Sequence, residues 1–278
     1  MSSREWERKT CFFSRGDGPL VSVLIPSRES NGGLERCVRS CVNKAEDPSR
    51  LEFCIRTDDD DKETIDIVDG MGPIVFPARV VHDSGPRGKG YFDIHNFLDD
   101  LASMALGDWL FVLNDDAEML TDKWDRLLLN TPYRNCWHPC PQDVTLLWAQ
   151  VVNQNGEDTG CKDFFLLRRK AYEILGRVCG SPWGDAWVRK VYDPIFCSAD
   201  LPLLRVAHLR DGDRPGRRQE SYRDGTFTLA SAHACLGRLA DTAKLLAHID
   251  AYARGREWYP GPTGPGWRGA SSSSGWRG

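Results

Sequence analysis

Asp108-Trp-Leu-Phe-Val-Leu-Asn-Asp-Asp-Ala-Glu118 decides how the rest of the chain is read. Its first half is a short apolar run containing aromatic and β-branched residues, the mark of a strand buried on both faces. Its second half turns abruptly acidic, so the polar chemistry falls at the end of a buried strand and not on a helix surface. Upstream, Val21-Ser-Val-Leu-Ile25 is closed by Pro26, and Leu51-Glu-Phe-Cys-Ile55 runs into Asp58-Asp-Asp-Asp61. Both repeat the plan of an apolar strand with a polar end.

Helical spacing fills the gaps between these strands. Leu34, Cys37, Val38, Cys41 and Val42 fall on one helical face, Glu63–Val68 reads as a short helix, and Tyr91–Leu106 as a longer one. A further strand is expected over Arg79–His82. This alternation predicts an α/β fold with a mostly parallel sheet flanked by helices, whose ligand lies beyond the C-terminal ends of the strands. Farther on, strands are expected over Val144–Val152 and Leu203–His208, and helices over Arg169–Leu175 and Asp185–Val191. Ala230–Tyr252 reads as one amphipathic C-terminal helix, with Leu236, Leu239, Leu245, Leu246 and Ile249 as its apolar residues. The tail from Pro260 is rich in Gly, Pro and Ser, repeats Gly-Trp-Arg-Gly, and is too poor in apolar residues to fold alone.

With 278 residues, 41% hydrophobic and 27% charged, the chain has the composition of a soluble globular protein. No stretch approaches the roughly 18–20 apolar residues of a membrane helix, and no apolar block follows the charged N-terminus, so a cytoplasmic location is expected. In that compartment most of the ten cysteines read as reduced, buried small hydrophobes. Cys136-Trp-His-Pro-Cys140 gathers three zinc-type donors but has no second half-site, so it reads as a loop with buried thiols. The net charge of −4 is uneven: residues 201–278 hold 12 Lys and Arg against 7 Asp and Glu, and the acidic excess lies before them.

Chemistry concentrates at Asn114-Asp-Asp-Ala-Glu118. A hard divalent cation takes carboxylate oxygens and keeps water and substrate phosphates as its remaining ligands. Carboxylates at a strand end can therefore hold such an ion against a diphosphate. Gly85-Pro-Arg-Gly-Lys-Gly90 is not a phosphate-binding P-loop, because the spacing before Gly-Lys is too short and no Ser or Thr follows the lysine.

Taken in order, Val-Ser-Val-Leu-Ile-Pro-Ser-Arg, an acidic cluster after the second strand, a Gly-x-Gly loop with a downstream Asn, and a strand ending Leu-Asn-Asp-Asp resemble the inverting GT-A glycosyltransferases of the large family that uses nucleotide-diphosphate sugars. The resemblance covers about residues 20–210. It implies that Pro26 and Arg28 meet the nucleotide and that Asp58 bonds the base, with Asp59 to Asp61 leaving the register open. Asn114-x-Asp116 matches the family's D-x-D motif. Asp116 is then a ligand of Mn²⁺ or Mg²⁺, with Asn114 and Asp115 beside it on the donor; Asp116-x-Glu118 is the competing register. Arg87 and Lys89 would meet the diphosphate, His208 would be a further metal ligand, and Asp185 would be the general base, with Trp183 stacking on a sugar.

The resemblance implies a GT-A domain (20–210) with a nucleotide-sugar half (20–118) and an acceptor half (119–210); composition and pattern add an arm (1–19), a basic loop with the C-terminal helix (211–259), and a flexible tail (260–278). The expected activity is transfer from a nucleotide-diphosphate sugar, a UDP-sugar foremost, to an acceptor hydroxyl with inversion. The acceptor is a glycan, a lipid-linked sugar or modified DNA. Arginines 210, 214, 217 and 218, which follow His208 in sequence, and the aromatic-basic tail point to salt-sensitive nucleic-acid contact through residues 210–223 and the tail. Two alternatives stay open: a transferase acting on hydroxylated DNA bases, and a non-catalytic nucleotide-sugar or nucleic-acid binding module.

Overall fold

The computed structural model describes residues 20–30, 32–88, 93–130, 144–181, 184–209 and 227–255, the side chains of 130, 227–236 and 253–255 excepted. The described strands are β1 (Val21–Ser27), β2 (Leu51–Asp58), β3 (Arg79–Gly85), β4 (Trp109–Val112), β5 (Ala117–Met119), β6 (Leu146–Val152), β7 (Phe165–Arg168) and β8 (Ser198–His208). They form a single sheet in the order β3-β2-β1-β4-β7-β6-β8-β5. β3, β2, β1 and β4 run parallel to one another, β7 is antiparallel to both β4 and β6, β8 is parallel to β6, and β5 is antiparallel to β8. The expected α/β fold with a mostly parallel sheet is what forms.

Alternation along each strand divides the core between the two faces of the sheet. In β4, Trp109 and Phe111 join the residues of α1 (Gly33–Lys44) and α5 (Trp124–Asn130), while Leu110 and Val112 join Leu98 and Leu101 of α4 (Ile94–Met104) on the other face. On the second face lie also α6 (Arg169–Leu175), α7 (Gly184–Tyr192) and part of α8 (Phe227–Gly255). Two short helices, α2 (Lys62–Asp69) and α3 (Gly72–Val75), connect β2 to β3. Pro26 sits inside β1 without disrupting the sheet: β1's pairing with β4 ends at Leu24↔Val112, so its missing N–H falls past that ladder.

Two expectations change. The C-terminal helix buries only part of the apolar set that its pattern suggested, with the Leu236 side chain outside the described residues. Leu245 is fully buried and Ile249 partly so, but Leu239 and Leu246 are exposed. Buried Asp241 takes part in the seam, between Arg177 and Lys244, so the docked face is displaced around the helix from the leucine stripe. The strand expected over Leu203–His208 begins five residues earlier, at Ser198. Its register against β6 slips from Ala149↔Leu201 to Gln150↔Arg205, so Pro202, Leu203 and Leu204 form a bulge. Of the thiols, Cys37, Cys41, Cys54, Cys161 and Cys179 are free, while Cys197 is disulfide-bonded. No helix among the described residues is long and apolar enough to cross a membrane.

The N-terminal edge of the parallel strands is tied by a buried carboxylate. Glu52, with no exposed surface, accepts the Ser22 hydroxyl at 2.5 Å and the Leu106 N–H at 2.7 Å, and its other oxygen faces Arg79. Ser22 Oγ in turn accepts the Gly107 N–H at 2.7 Å. This packs the turn before β4 directly on β1, where a Cβ on Gly107 would come within 2.5 Å of the Ser22 nitrogen. Gly107→Ala is therefore expected to destabilise the fold by about 1–3 kcal/mol through overpacking against backbone. Urea unfolding measures it, and a change too small to resolve would show that the turn can move aside.

Candidate functional site

The parallel register aligns the ends of β1, β2 and β4. Ser27 stands opposite Thr57, and Leu113 donates its N–H to Leu24 O, so Arg28, Asp58 and Asn114–Asp116 emerge along one edge. Arg28 Nη1 lies 3.3 Å from Asp58 Oδ2. The Asp58 carboxyl is nonetheless held above the usual carboxylate range, because burial outweighs the help of Arg28 and of the Gly88 N–H.

The run of four acids sorts itself by contact. Asp61 caps α2, accepting N–H groups from Thr64 at 3.2 Å and from Glu29 at 2.6 Å. Asp60 pairs with Arg87 at 3.2 Å on the surface. Asp58 is the member of the cluster that is buried beside a cation at the strand end. Arg87 is thus turned to Asp60, and Lys89 lies outside the described residues. Gly88 is packed so closely that a Cβ there would fall 2.4 Å from the Phe97 ring, which explains a glycine in this loop without appeal to phosphate.

The acids after β4 separate in the same way. Asp115 Oδ2 accepts the Ser27 hydroxyl at 2.8 Å, and the carboxylate also takes the Arg28 N–H. Burial, opposed by these hydrogen bonds and reinforced by Asp116, pushes its pKa up to about 6. Its carboxylate pins the loop after β1 to the end of β4. The Asn114 amide has no partner among the described residues, and its carbonyl receives the Ala117 N–H at 3.1 Å. Glu118, in the competing register, sits within β5, one residue past the ladder position that faces His208.

His208 reaches Asp116 because β5 and β8 form a ladder in which Ala117 faces His208 and Leu209 donates its N–H to Asp116 O at 2.9 Å. Its Nε2 lies 3.3 Å from Asp116 Oδ1, and its Nδ1 lies 2.9 Å from Asp163 Oδ2. Burial alone would lower the imidazole pKa, but the two carboxylates prevail and raise it to about 9. Asp163 was not foreseen. It stands just ahead of β7, 45 residues from His208, and its only local signal is an acid before an apolar run.

The donor set suits a divalent cation. Asp116 Oδ1 is buried and receives no well-directed hydrogen bond, leaving a lone pair unused. Two ligands held at about 2.1 Å by one octahedral ion stand about 3 Å apart, close to the observed 3.3 Å. The carboxylates of Asp116 and Asp163 on either side of the imidazole favour positive charge between them. Asp163 at Nδ1 supplies the outer carboxylate that a metal-ligating histidine commonly has. No group of three or more such donors forms a cage among the described residues, so an ion here would take its other ligands from substrate or water.

Asp185 opens α7, half-buried, with its carboxylate on the Ala186 N–H. Its pKa is raised, by burial first and then by the charge of Asp163. Trp183, the Cys136-His138-Cys140 cluster, the arginines of 210–223 and the tail lie outside the described residues.

Residues 22–131, from β1 through α5, match the family model Glycosyl transferase family 2. The chain has no match among curated proteins. Among solved structures it is similar to S. aureus TarS 1-349 in complex with UDP-GlcNAc, at 11% identity and TM-score 0.58, over 82% of this chain and 71% of that one. It is also similar to the mannosyltransferase PcManGT from Pyrobaculum calidifontis in complex with GDP-Man and Mn²⁺, at 13% identity and TM-score 0.53, over 86% and 76%. Against another structure of S. aureus TarS 1-349, at 11% identity and TM-score 0.52, the match covers 68% of this chain but only 60% of that one. The chain thus has a GT-A fold, and its residues 22–131 carry the glycosyl transferase family 2 sequence pattern.

Proposed function

We propose that the chain transfers a sugar from a nucleotide-diphosphate sugar, a UDP-sugar foremost, to an acceptor hydroxyl with inversion and with the help of Mn²⁺ or Mg²⁺. The observation that carries this reading is the pairing of Asp116 with His208 across the β5–β8 ladder, on the edge where Arg28 and Asp58 also emerge. The two similar structures in complex with UDP-GlcNAc and with GDP-Man and Mn²⁺ support the donor class.

In this reading Asp58 accepts an N–H of the base, and Arg28, paired with it, lies against the nucleotide. Asp116 and His208 would hold the divalent ion, which would offset negative charge on the leaving nucleoside diphosphate. Asp115 keeps the loops after β1 and β4 in register, which fixes where Arg28 stands. Asp185 accepts the acceptor's proton as its oxygen attacks the anomeric carbon from the face opposite the leaving group. Burial suits Asp185 to that task by raising its basicity.

Two results test the assignment. Asp116→Ala should abolish Mn²⁺-dependent binding of UDP while leaving the folded state intact, as read by calorimetric titration with and without chelator. Equal UDP affinity in the presence and absence of Mn²⁺ in the parent protein would remove the metal from the site.

Asp185→Asn should leave donor affinity nearly unchanged and lower turnover by about 10²–10⁴-fold. Only the ionised form of Asp185 can take a proton, and its pKa is raised. The acid limb of the parent's pH–rate profile should therefore lie above the ordinary aspartate range, with activity lost as pH falls through it. A variant retaining turnover within a few-fold of the parent would reduce Asp185 to a helix-capping residue.

A further inference from the structure

We infer that Asp99 is a positioning residue for Asp185: from α4 its carboxylate holds the turn at residues 178–181, and through that turn it sets where α7 starts. The inference deepens the proposed function and rests on it for the role of Asp185.

α6 ends at Leu175, where Gly176 caps it in the left-handed conformation at φ 74° and donates its N–H to Tyr172 O at 2.7 Å. Residues 177–181 then belong to neither a helix nor a strand, so their backbone groups take partners from elsewhere. Val178 donates its N–H to Asp99 Oδ1 at 2.6 Å. Asp99 is half-buried, and loss of water is the first reason its pKa rises to about 6. The Val178 N–H and Arg177 oppose that rise, while Asp100 and Asp241 add to it. Val178 has no exposed surface, so removing the carboxylate leaves its N–H in the interior without this acceptor.

Packing carries the hold from the turn to the helix. Cys179 is fully buried, and its sulfur accepts the Ser181 N–H. A Cβ on Gly184 would fall 3.1 Å from that sulfur, and a Cβ on Gly180 would fall 2.8 Å from Trp187 Nε1. The turn thus meets α7 at Gly184, next to Asp185, and again at Trp187, two residues past it. Both contacts are too close for the turn to shift toward α7 without moving the head of the helix.

α8 closes on the same unit from outside. Lys244 donates to Leu175 O at 3.2 Å and Thr242 to Val191 O at 3.3 Å, at the C-terminal turns of α6 and α7, where carbonyls lack partners inside the helix. Arg177, at the start of the turn, lies 3.7 Å from the buried Asp241. The two helices are therefore held at their far ends by α8, and the turn between them by Asp99. The donor edge is held by other groups, Glu52 and Asp115. Releasing the turn should accordingly be felt in turnover and not in donor binding. A reacting group misplaced by about 1 Å can cost about 100-fold in rate.

Two measurements on the full chain test this. Hydrogen exchange, followed peptide by peptide without substrate, should run about tenfold faster over residues 177–181 in Asp99→Ala, with the peptides of β1, β2 and β4 unchanged. Turnover of UDP-GlcNAc or GDP-Man, whichever the parent uses, is then compared in a double-mutant cycle with Asp185→Asn. Asp99→Ala should lower kcat about 10- to 100-fold in the parent, leave the calorimetric affinity for UDP with Mn²⁺ unchanged, and lower kcat less than about twofold further once Asp185 is Asn. Asp99→Asn is isosteric and keeps an acceptor oxygen for Val178, so it should show the same non-additivity with a smaller loss. The inference is overturned if exchange over 177–181 is unchanged, or if the loss of kcat is the same in both backgrounds, as a merely structural role would give. Near-parental turnover of Asp185→Asn alone sinks the assignment of the base with Asp99 untouched, and the exchange result still decides whether Asp99 holds the turn.

Discussion

β1 lies between β2 and β4 and pairs with both in parallel, so three strand ends emerge together and the residues that follow them are forced to share one edge. A parallel sheet buries its strands on both faces, and side chains inside it have no freedom to serve a ligand. The ends are the first positions where the backbone can present polar groups to solvent. Five of the candidate site residues follow from that limit: Arg28 after β1, Asp58 at the end of β2, and Asn114 to Asp116 after β4.

Strand ends alone would splay, and two devices prevent it. At one edge Glu52, Ser22 and the Gly107 turn hold β1, β2 and the approach to β4 together. At the other, the Ser27–Asp115 hydrogen bond joins the loops after β1 and β4. Each device buries a carboxylate, and each satisfies it with hydroxyl and backbone donors. Asp115 still titrates near 6, a sign that hydrogen bonds only partly offset its loss of water.

Much of this was legible in the sequence. Apolar runs ending in Pro26, Asp58 and Asp116 mark the three strands and their polar ends, because a buried parallel strand leaves a continuous hydrophobic signature. Less legible was how consecutive acids divide their labour. Asp58 to Asp61 look alike in sequence, yet Asp61 caps a helix and Asp60 holds Arg87, roles fixed by local geometry that one residue of shift would change. Asp163 was invisible because its partner is distant and β7 is only four residues long, too short for a periodic signal. The exposed Leu239 and Leu246 misled for the opposite reason: a leucine stripe marks a helix but not which side it docks, and Asp241 with its ion partners outweighed the stripe.

The bulge in β8 sets which residue stands beside Asp116. Pro202, Leu203 and Leu204 are taken up outside the ladder, which draws the rest of the strand back by three positions, about 10 Å of chain. In an unbroken strand the place opposite Ala117 would go to Arg205, and a guanidinium would lie against Asp116 and close it to any metal ion. The imidazole is there by counting. The three residues of the bulge work as a spacer, anchored by the buried Leu204, whose length decides whether an imidazole or a guanidinium stands on this edge.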